Sequence, residues 1–320
     1  MNYKLDLDVE DKRDLNEIFK ENPDIDFKQI EEQGIKISKI RVKNKRGEKL
    51  LGKKMGYYST FELPKMMHYD VGTMDKVSLM FGDVLKEFIS MDSSKSVLVI
   101  GLGNRNITAD SLGPKVVSKL FVTRHFKQYA SKPLFENISS VCALSPGVLG
   151  TTGIETSEIV KSLVDKVKPD YVLCIDSLAA GKVSRLNTTI QVGNTGINPG
   201  AGVNNHRTPL NEETLGVPVL GIGVPTVVDA VTIVNENIES ILKNIMIKIN
   251  ESKNGEKNFF SDEDQLNIVR KNLSISIDEM VVTPKDVDTI IESMSKMIAM
   301  GINIALHPNI SVEDLNRFTN

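Results

Sequence analysis

The stretch from Ser96 to Pro114 constrains the fold of this chain most strongly. It reads SVLVIGLGNRNITADSLGP: four apolar residues, Val97 to Ile100, are followed at once by a glycine-rich turn and a polar segment that carries Asp110. A short apolar run bounded by turn residues is typical of a buried strand. In open α/β sheets, ligands bind in the crevice outside the carboxyl ends of the strands. We therefore predict a buried strand that opens into a functional loop, with Asp110 as a candidate site residue.

The same order of strand, loop and helix recurs along the chain. Apolar positions at intervals of three and four between Met74 and Ile89 predict an amphipathic helix before the first strand. SSVCALSPGVLG reads as a second strand with a glycine-rich loop, TSEIVKSLVDKV as a helix, and DYVLCIDSLAA as a third strand that ends at Asp176. Strands that alternate with helices favour a parallel sheet. We predict an α/β fold with a mostly parallel central sheet and helices on both faces.

Residues 1–73 are predicted to form a small β-rich element beside this sheet. The segment GIKISKIRV alternates, but its first two isoleucines are out of phase with its third isoleucine and with its valine. Such a phase change predicts a bulge or bend near Ser38. A second predicted strand, around YYSTFEL, follows an exposed, glycine-bearing connection.

The rest of the chain is predicted to complete one domain over residues 1–320, since this length suits a single large domain. Residues 187–216 contain many glycines and asparagines and are predicted to be a long ordered loop or a short hairpin. VPVLGIGVP reads as a core strand, and a long helix is predicted to begin at Pro225. The polar residues 252–275 are predicted to be a surface insertion, and a final helix is expected near Pro284.

Composition excludes several classes of partner. The 39 basic and 42 acidic residues give a net charge of -3, so no global field favours nucleic acid or an anionic membrane. The amino terminus is charged, and we expect no membrane span because no apolar run approaches the ~20 residues required. Cys142 and Cys174 lie in apolar, strand-like contexts and are predicted to be buried, reduced thiols. We expect a cytoplasmic protein.

Asp110 and Asp176 are expected at the same edge of the sheet because each follows a predicted strand. Adjacent strands lie ~4.8 Å apart, so two such loops can bring both carboxylates within reach of one water molecule. Two close carboxylates share a proton: the charged one can take a proton from water while the neutral one donates to a carbonyl or leaving group. Peptide hydrolysis fits that division of labour. The pattern leaves a structural alternative open, in which Asp110 caps the helix near Pro114 and Asp176 turns the chain before SLAA.

Other side chains carry weaker signals. The turn GLGN could hold a phosphate, but it is not GxGxxG, and no GKS or GKT occurs. Ser145 and Ser177 lack the G-x-S-x-G setting of a nucleophile, and the four histidines show no paired zinc spacing, so no metal or other cofactor is predicted. His206 is the one histidine that we keep as a candidate. Glu155 is a third carboxylate that could face the crevice or simply begin a helix.

Six segments, in this order, resemble the germination proteases of endospore-forming bacteria. They are GLGNRNITADSLGPKVV, SPGVLGTTGIETSEIV, DYVLCIDSLAA, NPGAGVNN, LGVPVLGIGVPTVVDAVTI and VVTPKDVDTIIESMSKMIAMGINIALH. The likeness includes LDLDVE, EEQGIKISKI and the run LGKKMGYYSTFEL, and so extends over nearly the whole chain. The two aspartates implicated in catalysis in that family match Asp110 of ITADSLGP and Asp176 of CIDSLAA.

The resemblance implies an endopeptidase that degrades small acid-soluble spore proteins during germination, in the cytoplasm of the forespore and spore core. It also implies a homotetramer, made as an inactive zymogen that cuts its own amino terminus. Better-known members have a longer prosequence before the segment matching LDLDVE, whereas only MNYK precedes it here. The zymogen step is therefore expected to be shortened or different.

Two alternatives to this function stay open. The fold also looks like that of hydrogenase maturation endopeptidases, which bind a metal with a histidine that no residue of this sequence matches. A metal-dependent maturation endopeptidase is therefore one alternative. The other is a noncatalytic protein that binds spore DNA-protecting proteins through the nine basic residues between Lys36 and Lys54. Such a basic stretch otherwise forms a solvated strand edge.

Overall fold

One mixed sheet runs through the described part of the molecule. A computed structural model describes residues 22–64, 67–126, 138–200, 207–238 and 280–319. Within these ranges the strands are β1 (Ile25–Glu32), β2 (Ile35–Val42), β3 (Gly56–Glu62), β4 (Ser96–Gly101), β5 (Ser140–Leu144), β6 (Tyr171–Ala180), β7 (Thr189–Gly193), β8 (Val219–Asp229) and β9 (Val281–Val282). Their order across the sheet is β1-β2-β3-β7-β8-β6-β4-β5, and β9 pairs with β8.

The centre of the sheet is parallel and its N-terminal side is antiparallel. Strands β8, β6, β4 and β5 pair in parallel, as the alternation of strands and helices predicted. Strand β7 pairs antiparallel with β8 and β3, and the antiparallel pairing continues through β2 to β1. The predicted N-terminal β-rich element is therefore present, but its strands extend the central sheet instead of standing beside it. Strand β7, within residues 187–216, makes that connection.

Helices cover both faces of the parallel strands, which confirms the predicted α/β fold. Helices in the described ranges include α1 (Lys45–Leu51), α2 (Val71–Phe88), α3 (Leu112–Val117), α4 (Leu149–Thr152), α5 (Thr156–Val167), α6 (Glu212–Leu215), α7 (Val287–Leu306) and α8 (Val312–Thr319). Val97 and Val99 of β4 pack in a cluster with α2, α3 and α7. Leu98 and Ile100 face the opposite way and pack with α5 and α6. Alternate residues of a strand point to opposite faces, so β4 is buried from both sides.

Strand β2 has no bulge, and the prediction of one near Ser38 is wrong. Its pairing with β1 and β3 runs without a register shift. Ile35 and Ile37 pack in the cluster that contains α2, whereas Ile40 and Val42 face the other side and pack with α1. The change of phase arises because the two halves of one regular strand are covered on opposite faces.

Strand β8 runs to Asp229, further than the sequence predicted. Val227 and Val228 pair with the last two residues of β6, so the helix predicted to begin at Pro225 begins later, and residues 230–238 are helical. The predicted surface insertion, residues 252–275, lies outside the described residues.

Helix α7 packs in the largest apolar cluster against α2 and α3. With 20 residues and a mean hydropathy of 1.2, it is long and apolar enough to cross a membrane. However, 78% of its most apolar 18-residue stretch is buried inside the protein. Burial of this extent is what the core helix of a folded domain shows.

Candidate active site

Asp176 lies inside strand β6 and not at its end. The strand continues for four residues to Ala180, paired with β8 throughout, so the prediction of a strand that ends at Asp176 is wrong. The residue is 5% exposed, and its Oδ1 accepts a hydrogen bond from the backbone N–H of Ser177 at 2.9 Å. Cys174, two residues earlier, packs in the cluster with α5. Asp176 therefore faces the α5 side of the sheet and does not turn the chain.

Asp110 ends a single 3₁₀ turn, Thr108–Asp110, between β4 and α3. Its Oδ2 accepts a hydrogen bond from the backbone N–H of Asn104 at 2.7 Å. Helix α3 has Ser111 as its N-cap and no side-chain capping bond, so Asp110 does not cap it. The hydroxyl of Thr226 donates to the carbonyl oxygen of Ala109 at 2.6 Å and ties the turn to β8. The Asp110 carboxylate is thus held by a backbone N–H of its own loop and is not used to cap helix α3.

The glycines of GLGN shape the loop around Asp110. Gly103 has φ +103, and a Cβ placed on it would lie 2.1 Å from the carbonyl oxygen of Asp110, so only glycine fits. A Cβ on Gly101 would lie 2.3 Å from the carbonyl oxygen of Gly113, at the start of α3. The N–H of Asn104 already binds the Asp110 carboxylate. The loop therefore positions a carboxylate, which would repel a phosphate at the same place.

The charge of Asp110 acts on the pKa of Asp176. Burial and then the negative charge of Asp110 raise the pKa of Asp176 to about 8, against the backbone hydrogen bonds from Ser177 and Gly200 and the charge of Arg207. Burial also raises the pKa of Asp110, opposed by its backbone hydrogen bond and by Arg207. Close carboxylates titrate as a pair. Near neutral pH, the deeply buried Asp176 therefore holds a proton.

Arg207 is a site residue that the sequence analysis missed. Its positive charge lowers the pKa of both aspartates. The backbone hydrogen bonds between Ile197 and Leu210, 2.9 Å in each direction, close the base of the loop that carries it. The sequence feature that could have identified Arg207 is a lone basic residue in a stretch rich in glycine and asparagine. The candidate that we kept there, His206, lies outside the described residues.

Three other candidates have buried polar atoms without a hydrogen-bond partner. These are the hydroxyls of Ser145 and Ser177 and the Oε1 of Glu155. Glu155 precedes α5 but makes no side-chain capping bond. Among the described residues, none of these three side chains forms a hydrogen bond to Asp110 or Asp176; only the backbone N–H of Ser177 does, to Asp176. Over the same ranges, no three His, Cys, Asp or Glu side chains converge to hold a metal ion.

Comparison with known proteins assigns the family. A family model described as germination protease matches residues 4–267 and 255–319. The chain belongs to the germination protease family. Relatives of this protease include the germination protease of Clostridium tetani, 46% identical over 331 residues and covering all of both chains. The germination protease of Bacillus pumilus is 38% identical over 346 residues, covering 97% of this chain and 93% of its own.

The solved structures similar to this germination protease include a hydrogenase maturation protease from Thermococcus kodakarensis. It is 16% identical and covers 70% of this chain and 98% of its own, with a TM-score of 0.34.

Proposed function

We propose that this protease hydrolyses small acid-soluble spore proteins during germination, with a water molecule activated between Asp110 and Asp176 and without a metal ion. The observation that supports the mechanism is the buried carboxyl of Asp176, whose pKa is raised to about 8 by burial and by the charge of Asp110. Such a pair supplies a base and an acid at neutral pH.

The environments of the two carboxylates assign their roles. Asp176 is 5% exposed and holds the proton, so it acts as the acid. Asp110 is less buried, and the N–H of Asn104 stabilises its negative charge, so it acts as the base. Asp110 takes a proton from water while the water oxygen bonds to the carbonyl carbon and Asp176 protonates the carbonyl oxygen. The C–N bond then breaks as a proton passes from Asp110 to the leaving nitrogen. Asp176 recovers its proton from the tetrahedral hydroxyl.

Arg207 fits this mechanism as a positioning residue. Its charge opposes the rise in the pKa of both aspartates, and it offsets the single negative charge of the pair. The pair can then keep one ionised member in a largely buried site.

The decisive experiment replaces each aspartate by asparagine, which keeps the shape and removes the carboxylate. We expect Asp110→Asn and Asp176→Asn to cleave a purified small acid-soluble spore protein at least about 100-fold more slowly than the unmodified enzyme, the usual scale for lost acid or base catalysis. Glu155→Gln is the matched control, because it removes a carboxylate that does not contact the pair. Cleavage at the wild-type rate by either aspartate variant would overturn the assignment of that residue.

Chelation separates this mechanism from the metal-dependent alternative. We expect the rate to be unchanged after exhaustive dialysis against a chelator. A loss of activity that is restored by added metal would instead favour the mechanism of a metal-dependent maturation endopeptidase.

The basic stretch does not favour a noncatalytic binder. Three of its lysines form ion pairs with neighbouring carboxylates: Lys36 with Glu62, Lys39 with Glu87, and Lys43 with Asp26. Arg41 lies over the ring of Tyr57. This pattern fits a solvated strand edge whose charge is partly neutralised.

The proposal includes self-processing of a zymogen, a homotetramer and a location in the spore core, on the strength of the family likeness. Mass spectrometry of the amino terminus before and after incubation tests the first, with Asp176→Asn expected to stay unprocessed. Sedimentation velocity tests the second, and fractionation of dormant spores tests the third.

A further inference from the structure

Strands β4 and β6 end at different heights in the sheet. The parallel pairing between them finishes with Gly101 opposite Ile175. The N–H of Leu102 then donates to the carbonyl oxygen of Ile175 at 2.8 Å, and the chain turns away at Gly103. Strand β6 continues to Ala180, paired only with β8. Strand β4 therefore pairs with one edge of β6 only up to Ile175. Along Ser177–Ala180, the same edge of β6 has no neighbouring strand.

The backbone groups on this open edge follow from the alternation of the strand. The carbonyl of Ile175 points towards β4, so the groups of Ser177 and Ala179 point the same way. The register shift near Leu178 adds its extra residue to β8, so the alternation along β6 is unbroken. The N–H of Ser177 is satisfied by the Asp176 carboxylate. By this alternation, the carbonyl of Ser177 and both backbone groups of Ala179 point away from β8, and no backbone group of the described residues outside the strands bonds to them.

The open edge is accessible and begins directly after Asp176 in the same strand. Ser177, Leu178 and Ala179 are partly exposed, whereas residues 172–176 of the same strand are buried. Asp176 faces the α5 side of the sheet. The 3₁₀ turn that ends in Asp110 contacts α7, which packs on the other side. Asp176 therefore borders the edge on one face of the sheet, and the turn that carries Asp110 lies against β6, β8 and α7.

We propose that an extended segment of the substrate polypeptide binds as an added strand along the open edge of β6, Ser177–Ala180, with its scissile bond at the notch where β4 ends. This inference rests on the proposed function of the aspartate pair. The occupant is polypeptide because the family acts on protein and the free groups are the main-chain donors and acceptors of a strand. Four strand residues span about 13 Å, enough for the residues on one side of a scissile bond. Main-chain pairing gives affinity with little demand on side chains.

The first test scans the substrate backbone. A peptide that spans one cleavage site of a small acid-soluble spore protein is made in versions in which a single N–H, away from the scissile bond, is replaced by an ester oxygen. We expect kcat/KM to fall about tenfold at alternate positions, where a hydrogen bond to β6 is lost, and to change less than about threefold at the positions between. A scan without this two-residue period overturns the added strand.

The scan also separates the two proposals. If the unmodified peptide is cleaved and cleavage requires both aspartates, a flat scan refutes the open edge alone. If the peptide is not cleaved, or is cleaved equally by Asp110→Asn and Asp176→Asn, the proposed function itself fails.

The second test changes the enzyme at the same edge. Ala179→Pro removes the outward N–H and places a ring there, and we expect KM to rise tenfold or more. The matched control is Ala143→Pro on β5, at the outer edge of the same parallel strands. The N–H of Val141, two residues earlier, binds the side chain of Thr123 and not a strand, so Ala143 also points outwards. Ala143→Pro is expected to keep the wild-type KM.

A cooperative thermal transition shows whether each proline variant is folded. If Ala179→Pro does not fold, the backbone scan on the unmodified enzyme decides. A folded Ala179→Pro with the wild-type KM refutes the proposal.

Discussion

Replacing Asp176 by asparagine should stabilise the protein while it removes activity. Burial holds the pKa of Asp176 at about 8 in the folded state, against an ordinary value of 3.8. Between these values the folded chain keeps a proton that the unfolded chain releases, so the free energy of unfolding falls as the pH rises. Neutral pH lies about three units above the ordinary value, and each unit is worth about 1.4 kcal/mol. The cost of Asp176 at pH 7 therefore approaches an upper bound of about 4 kcal/mol, and asparagine, which cannot ionise, removes it.

The assay is urea denaturation of the wild type and of Asp176→Asn from pH 5 to pH 9. The variant should gain stability over the wild type as the pH rises to about 8, and the difference should then level off. Asp170→Asn provides the control of opposite sign. Burial alone would raise the pKa of Asp170, but hydrogen bonds from Ser96 and the ion pair with Lys95 outweigh it and lower the pKa. This variant should therefore be less stable than the wild type, by a margin that stays constant from pH 5 to pH 9 because Asp170 is ionised throughout that range. Parallel stability curves for wild type and Asp176→Asn would refute the reasoning.

Three further predictions concern the proposed catalytic pair, Asp110 and Asp176. The kcat/KM of the wild type should fall as the pH rises above about 8, because Asp176 loses the proton that it donates; a rate that is constant to pH 10 contradicts this role. Arg207→Gln should shift both limbs of the pH–rate profile to higher pH, since the charge of Arg207 lowers the pKa of both aspartates, and Arg207→Lys should shift them back. Gly103→Ala should lower kcat by about 100-fold, because its Cβ displaces Asp110, whereas Gly150→Ala, in open space, should not; equal rates for the two variants would contradict the steric argument.

The parallel centre of the sheet was predictable because its strands are short apolar runs separated by helices with clear periodicity. Strand β7 was not, since its sequence, TIQVG, mixes polar and apolar residues. All five are nevertheless buried, because the strand lies between β3 and β8 and is covered on both faces. A strand of this kind loses the alternation on which sequence prediction depends. The length of β6 was missed for a related reason. Its last four residues, Ser177–Ala180, give no strand signal of their own and are extended because they pair with β8.

The pairing of Asp110 with Asp176 was predicted from strand ends, but the reason for it is different. Both aspartates were expected just beyond predicted strands at one edge of the sheet, whereas Asp176 lies within a strand that continues past the end of its neighbour. The site is built from this difference in strand length. Because Asp176 is already buried before substrate arrives, its neutral form needs no rearrangement, and Asp110 faces the larger change in solvation. A peptide strand placed at the notch would exclude water and raise the pKa of both carboxylates further. Occupancy of the open edge should therefore keep the acid protonated to higher pH, and the alkaline limb of kcat should lie above that of kcat/KM.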